Sequence, residues 1–282
     1  MAARTASFPA RRLRTPQLAT LSFVGLNIAG LVAYLYPFLF ASATRPGDDW
    51  FAHNTDGPII MAVVATLCLA LVVSELTEGN LNSKSLAVLG VLAALAAVMR
   101  TITLPAGANL YFFLVILGAY VFGARMGFLL GALSFFLSAV VTAGIGPWLP
   151  FQVFAAAWMG MTAGWLGPVL APRGHVAEMG GLLVFAAAWG LLFGAITNLW
   201  SWPFFVSGPD ISYQPGLGPL ETLRRYWNFY LLTSFGWDLL RLVANVVVIA
   251  AVGSPVLKAL HRFHDRFTWS RQPTAREPAA VE

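Results

Sequence analysis

The sequence predicts an all-α, polytopic integral membrane protein. Three observations carry that expectation. Hydrophobic residues make up 58% of the chain and charged residues 10%, with a mean hydropathy of +0.73, whereas soluble domains carry about 25% charged residues. Long apolar runs recur, split by short marks rich in Gly and Pro such as Leu104-Pro105-Ala106-Gly107 and Gly123-Ala124-Arg125. The runs are also full of small residues, which lets helices approach closely in lipid. The lone Cys68 lies inside an apolar run, so neither a disulfide framework nor a cysteine metal site is expected. The net charge of +5 reads as membrane orientation and headgroup contact, not as nucleic-acid binding.

Residues 1–16 form a basic tail with Arg4, Arg11, Arg12 and Arg14 and no acid. An apolar run follows from about Gln17 to Ala41. Ala41-Ser42-Ala43 resembles a signal-cleavage site, but the run far exceeds the roughly 7–15 residues of a signal core, so it reads as a retained span. In the polar loop 42–57, Asp56 before Gly57-Pro58 reads as the N-cap of a second span, which ends near Glu75. A polar connector at 77–84 separates this two-helix extension, residues 17–83, from a six-span unit at 84–252.

Spans within that unit fall at about 85–104, 108–123, 126–143, 151–170, 181–203 and 228–252. Their short loops imply antiparallel neighbours. About 20 apolar residues normally cross a bilayer core, so the short second span must be flanked by protein. Counting it gives eight spans and puts both termini on one side. Charge supports the count: twelve basic residues, including Lys84, Arg125, Arg173 and Lys258, fall on the side of the termini, against Arg45, Arg224 and Arg225 opposite. The positive-inside rule then makes both termini cytoplasmic. Residues 253–282 read as a basic, disordered cytoplasmic tail.

Catalytic patterns are mostly missing. The chain has no phosphate-binding Gly-Lys-Ser/Thr loop, no Gly-x-Ser-x-Gly elbow and no His-Glu-x-x-His. Intramembrane charges say more, because a charge in hydrocarbon usually faces a partner or a wet cavity. Arg100 lies near the outer end of its span. Asp238 and Arg241 are three apart and can pair, and Ser234 and Asn245 extend the same face. Four loops bring aromatic and amide residues to the outer side. The candidate ligand-binding residues are therefore Arg100, Asn109, Trp148, Gln152, Asn198, Trp202, Trp227 and Asp238. In this reading aromatics stack on a ligand, amides orient it and Arg100 meets an anionic group. Small-residue stripes occur at Gly90, Ala93 and Ala97, at Gly123, Gly127 and Gly131, and at Gly160 and Gly164. Packing within the chain or docking of another membrane subunit would explain them.

Residues 84–252 resemble the substrate-binding S component of an energy-coupling factor transporter. The resemblance rests on the six-span unit with its short second span, on Ala93-x-x-x-Ala97, and on Pro105-Ala106-Gly107 leading into Phe112-Phe113. It also rests on Tyr120-Val121-Phe122-Gly123-Ala124-Arg125-Met126-Gly127, on Gly146-Pro147-Trp148-Leu149-Pro150-Phe151-Gln152, and on Ala156-Ala157-Trp158-Met159-Gly160. The Gly146–Gln152 turn looks like the cobalamin-type branch. The resemblance implies a subunit that is not an enzyme and captures a vitamin or precursor near the outer face. The loop between the first two core spans would gate that site. The face around Gly90, Ala93 and Ala97 would dock on a transmembrane coupling subunit that carries two cytoplasmic ATPases. The two extra spans and the segment 204–227 depart from the minimal family unit. The residues alone leave two rivals: an intramembrane lipid-modifying enzyme using Asp238 or His53, and a structural membrane subunit without ligand.

Overall fold

The computed structural model describes residues 18–39, 54–102, 109–205 and 208–268. Among them the protein is all-helical. The helices are α1 (Leu18–Leu39), α2 (Asp56–Thr77), α3 (Ser83–Thr101), α4 (Tyr111–Phe122), α5 (Ala124–Val141), α6 (Leu149–Leu170), α7 (His175–Thr197), α8 (Pro219–Thr233) and α9 (Phe235–Thr268). Seven of them are long and apolar enough to cross a membrane. The eighth apolar helix is α4. We call the end where α3 finishes and α4 begins the upper end.

Helix α4 is the middle of the bundle. Its 12 residues span about 18 Å, too short for a bilayer core of about 30 Å. Every residue from Tyr111 to Tyr120 is buried, because α3, α5, α6, α7 and α9 surround it. Gly123 closes the α4–α5 connection alone, in a left-handed conformation (φ 90°) that a side chain would strain. The N-terminus of α3 is capped by Asn82, whose side chain accepts from Ser85 N at 2.9 Å.

Glycines bring α5 and α6 together backbone to backbone. A Cβ on Gly131 would lie 2.1 Å from the Ala156 carbonyl oxygen, and one on Gly160 would lie 2.0 Å from that of Gly127. The stripes at Gly127, Gly131, Gly160 and Gly164 are therefore internal seams.

The extension is fastened to the six-helix unit at both ends. At the lower end Arg125 pairs with Glu75 of α2 at 2.6 Å and donates to Thr20 of α1 at 2.8 Å. Higher up, Gly30 of α1 fits against the Phe154 and Trp158 rings of α6. Tyr34 donates to the Phe151 carbonyl at 2.7 Å, and Trp158 donates to Asn27 at 3.0 Å.

Three expectations are corrected. The last span starts at Phe235, not 228, because Glu221, Arg224 and Arg225 keep the preceding helix out of hydrocarbon and the chain breaks at Ser234. That span runs on to Thr268, so residues 253–268 are helical and not a disordered tail; Leu257 and Leu260 bury against the lower bundle. Asp56 is the first residue of α2, not its cap. Thr55 holds the cap position, with no side-chain cap bond. The basic tail, His53, Arg45, the proposed gate at Pro105-Ala106-Gly107 and residues 269–282 lie outside the described residues.

Candidate functional site

The upper halves of α3, α4, α5, α7 and α9 meet around a column of aromatic rings. Tyr111 stands edge-on to Phe135 at 5.4 Å, Phe135 lies 5.8 Å from Phe193, and Phe193 meets Phe112 at 5.0 Å. The Tyr111 hydroxyl is fixed between the Gly131 carbonyl, to which it donates at 3.0 Å, and Ser134, from which it accepts at 3.1 Å. An arginine closes each end of the column. The Arg100 guanidinium lies 3.9 Å from the centre of the Phe135 ring and donates to Ser138 at 2.8 Å. Arg241 lies 5.1 Å from Phe193 and 5.4 Å from Phe112. Such cation–π contacts hold an arginine without neutralising it.

The two arginines differ in what balances them. Arg241 pairs with Asp238 at 2.5 Å and donates to the Gly190 carbonyl at 3.3 Å. Gly194 makes that pair possible: a Cβ there would lie 1.7 Å from Asp238 Oδ2. That oxygen makes no well-formed hydrogen bond, although the Tyr230 hydroxyl stands beside the carboxylate. Among the described residues no carboxylate pairs with Arg100, whose polar partner is the Ser138 hydroxyl. A guanidinium carries five N–H donors. Among the described residues, Arg100 therefore brings a positive charge without a carboxylate partner, and spare donors, to the upper end of the bundle.

A polar seam climbs α9 from this point. Asn198 donates to Ser234 at 2.6 Å, one turn above Asp238. Below, Asn245 is buried and its Nδ2 has no partner among the described residues. A buried amide of this kind costs free energy unless water or a ligand group meets it.

The other expected residues disperse. Asn109 turns back on its own chain and accepts from Tyr111 N at 3.1 Å. Trp148 holds the cap position of α6, 37% exposed over Gly146, and Gln152 is half-buried in the next turn. Trp202 is only 2% exposed and cannot offer a face to a ligand. Its ring is enclosed by Phe38, Tyr213, Tyr226 and Phe229, and its Nε1 donates to the Ile211 carbonyl at 2.8 Å. Trp227 is 53% exposed on the outside of α8, its ring 5.6 Å from that of Tyr230. Ala93 and Ala97 are 1% and 2% exposed, so the expected docking face is corrected: both methyls pack inside the bundle, and of the expected three only Gly90 is exposed.

Sequence reasoning placed Phe112 in the family resemblance without giving it a role in the site, and missed Phe135 and Phe193, which nothing distinguishes among 21 phenylalanines. It also missed Gly190-x-x-x-Gly194, whose four-residue spacing was a readable sign of close helix contact.

Seven helices long and apolar enough to cross a membrane, packed with the buried α4, define a multi-pass membrane protein. The family described as ECF transporter, substrate-specific component, matches residues 84–253, more than half of the chain. The chain belongs to that family and is a substrate-capture subunit of an energy-coupling factor transporter, not an enzyme. No curated protein and no solved structure matches it.

Proposed function

We propose that this chain captures a vitamin or vitamin precursor bearing an anionic group. It holds that ligand in the upper half of the six-helix unit, on the outer side of the cell membrane. The single observation that carries the reading is Arg100, a cation at the membrane-embedded end of α3 with no carboxylate partner among the described residues. A charge held there without an internal partner is a binding group by default. The Gly146–Gln152 turn favours cobalamin or a related precursor, whose phosphodiester supplies the anion. Asn198, Gln152 and Trp148 border the same end and orient the ligand.

Transport requires a transmembrane coupling subunit with two cytoplasmic ATPases. The surface that supports docking is the exposed side of α3, with Ala87, Gly90 and Ala94 at helical spacing. Beside it runs an apolar groove of about 450 Å³ between Val91 and Leu95 of α3, Phe122 of α4 and Leu260 of α9. The excess of basic residues at the lower end supports a cytoplasmic location for both termini.

Native mass spectrometry of the detergent-purified protein tests the ligand. The expected result is a stoichiometric small molecule carrying a carboxylate or phosphate. A ligand without a carboxylate or phosphate group would contradict the role given to Arg100.

A further inference from the structure

Helix α8 has three faces. Tyr226, Phe229 and Tyr230 point to the protein, where Tyr226 donates to the Ala195 carbonyl and Tyr230 to that of Leu191 at 3.3 Å. Glu221, Arg224 and Asn228 form a polar edge. The third face carries Leu220, Leu223, Trp227 and Leu231, spaced three and four apart and all exposed, Leu220 by 82%.

The helix cannot span a membrane. Its 15 residues cover about 22 Å, and its first half carries three charges. It cannot stand far from one either, since a single residue, Ser234, separates it from the membrane-crossing α9. Its charges are already balanced within the protein. Glu221 accepts from Arg224 at 2.8 Å and from Arg225 at 3.0 Å, and Arg224 also reaches Asp210 at 3.7 Å.

We infer that α8 is a lipid-interface helix. It lies in the headgroup layer with Leu220, Leu223, Trp227 and Leu231 in the acyl boundary and its polar edge toward water, and so ties the segment that encloses Trp202 to the bilayer surface. A Trp among leucines suits the boundary between headgroup and chain. Because the charges are internally paired, zwitterionic lipid suffices.

The test uses Cys68→Ser protein, which removes the sole cysteine, with single cysteines introduced as Leu223→Cys and Trp227→Cys on the stripe and Asn228→Cys on the edge. Each is labelled with an environment-sensitive fluorophore in phosphatidylcholine vesicles. Circular dichroism and monodisperse elution establish that each variant is folded. Nitroxide lipids should quench the stripe sites at least about threefold more than the edge site, with aqueous iodide showing the reverse order. Adding phosphatidylglycerol should leave that ratio unchanged. Equal iodide access at all three sites would overturn the inference by placing α8 in water. Stripe sites shielded from both quenchers would overturn it by showing a protein partner on that face.

Discussion

Two helix pairs in this protein are closed by glycine, for different ends. Between α5 and α6 the glycines let two backbones touch, and what they bury is apolar. Between α7 and α9, Gly190 receives the Leu242 backbone, but Gly194 makes room for a carboxylate. The first seam gives cohesion in a solvent that supplies no hydrophobic drive between helices. The second uses the same device to hold Asp238 against Arg241, while Arg100, across the aromatic column, has no carboxylate partner among the described residues. A motif of small residues thus announces close approach without saying whether packing or chemistry profits from it.

The comparison can be broken most severely at the first seam. Gly131→Leu must drive side-chain atoms into the Ala156 backbone and should cost more than about 3 kcal/mol, read as loss of monodisperse protein after detergent extraction. At the second seam, Asp238→Ala leaves the part-buried Arg241 without its partner and should cost up to about 3 kcal/mol. Thermal unfolding followed by circular dichroism measures it, and an unchanged midpoint would show that the pair is dispensable. A surface contrast comes next. Ala97→Trp should destabilise the fold because the site is internal, whereas Ala94→Trp should leave stability unchanged and abolish copurification with the coupling subunit. The smallest effect belongs to Glu221, held down to about 2 by hydrogen bonds from Arg224 and then Arg225. Its depressed value means that its stabilising contribution is present at neutral pH and fades as pH falls from about 4 toward 2. Because the ion pairs lie at the surface, where water screens them, Glu221→Gln should lower the melting temperature only slightly at pH 7 and less still as pH falls toward 2.

Much of this was legible in the chain. Apolar run length set the membrane spans, and the Asp238–Arg241 spacing announced their pair. The Gly127, Gly131, Gly160 and Gly164 stripes marked a close seam. Other features were hidden for physical reasons. Trp202 and Trp227 read alike as outer aromatics, yet one is enclosed by rings brought from α1, the 208–213 segment and α8, and the other faces outward. Only tertiary packing separates such cases. Ala93 and Ala97 share the composition of a docking stripe, and a helix turn of about 100° decides whether a methyl faces inward or out. Helix α8 was merged with the last span because Phe229, Tyr230, Leu231 and Leu232 run on apolar toward it, and the break at Ser234 carries no Pro and only a single Gly236 inside the next helix.

The central claim is that Arg100 is left unbalanced in order to meet the anion of a captured small molecule. Native mass spectra of the wild-type protein and Arg100→Gln, recorded side by side with matched melting temperatures, test it most directly. The account predicts that the ligand-bound fraction falls at least tenfold in the variant, equivalent to about 1.4 kcal/mol or more. Equal occupancy in two equally stable proteins would contradict it.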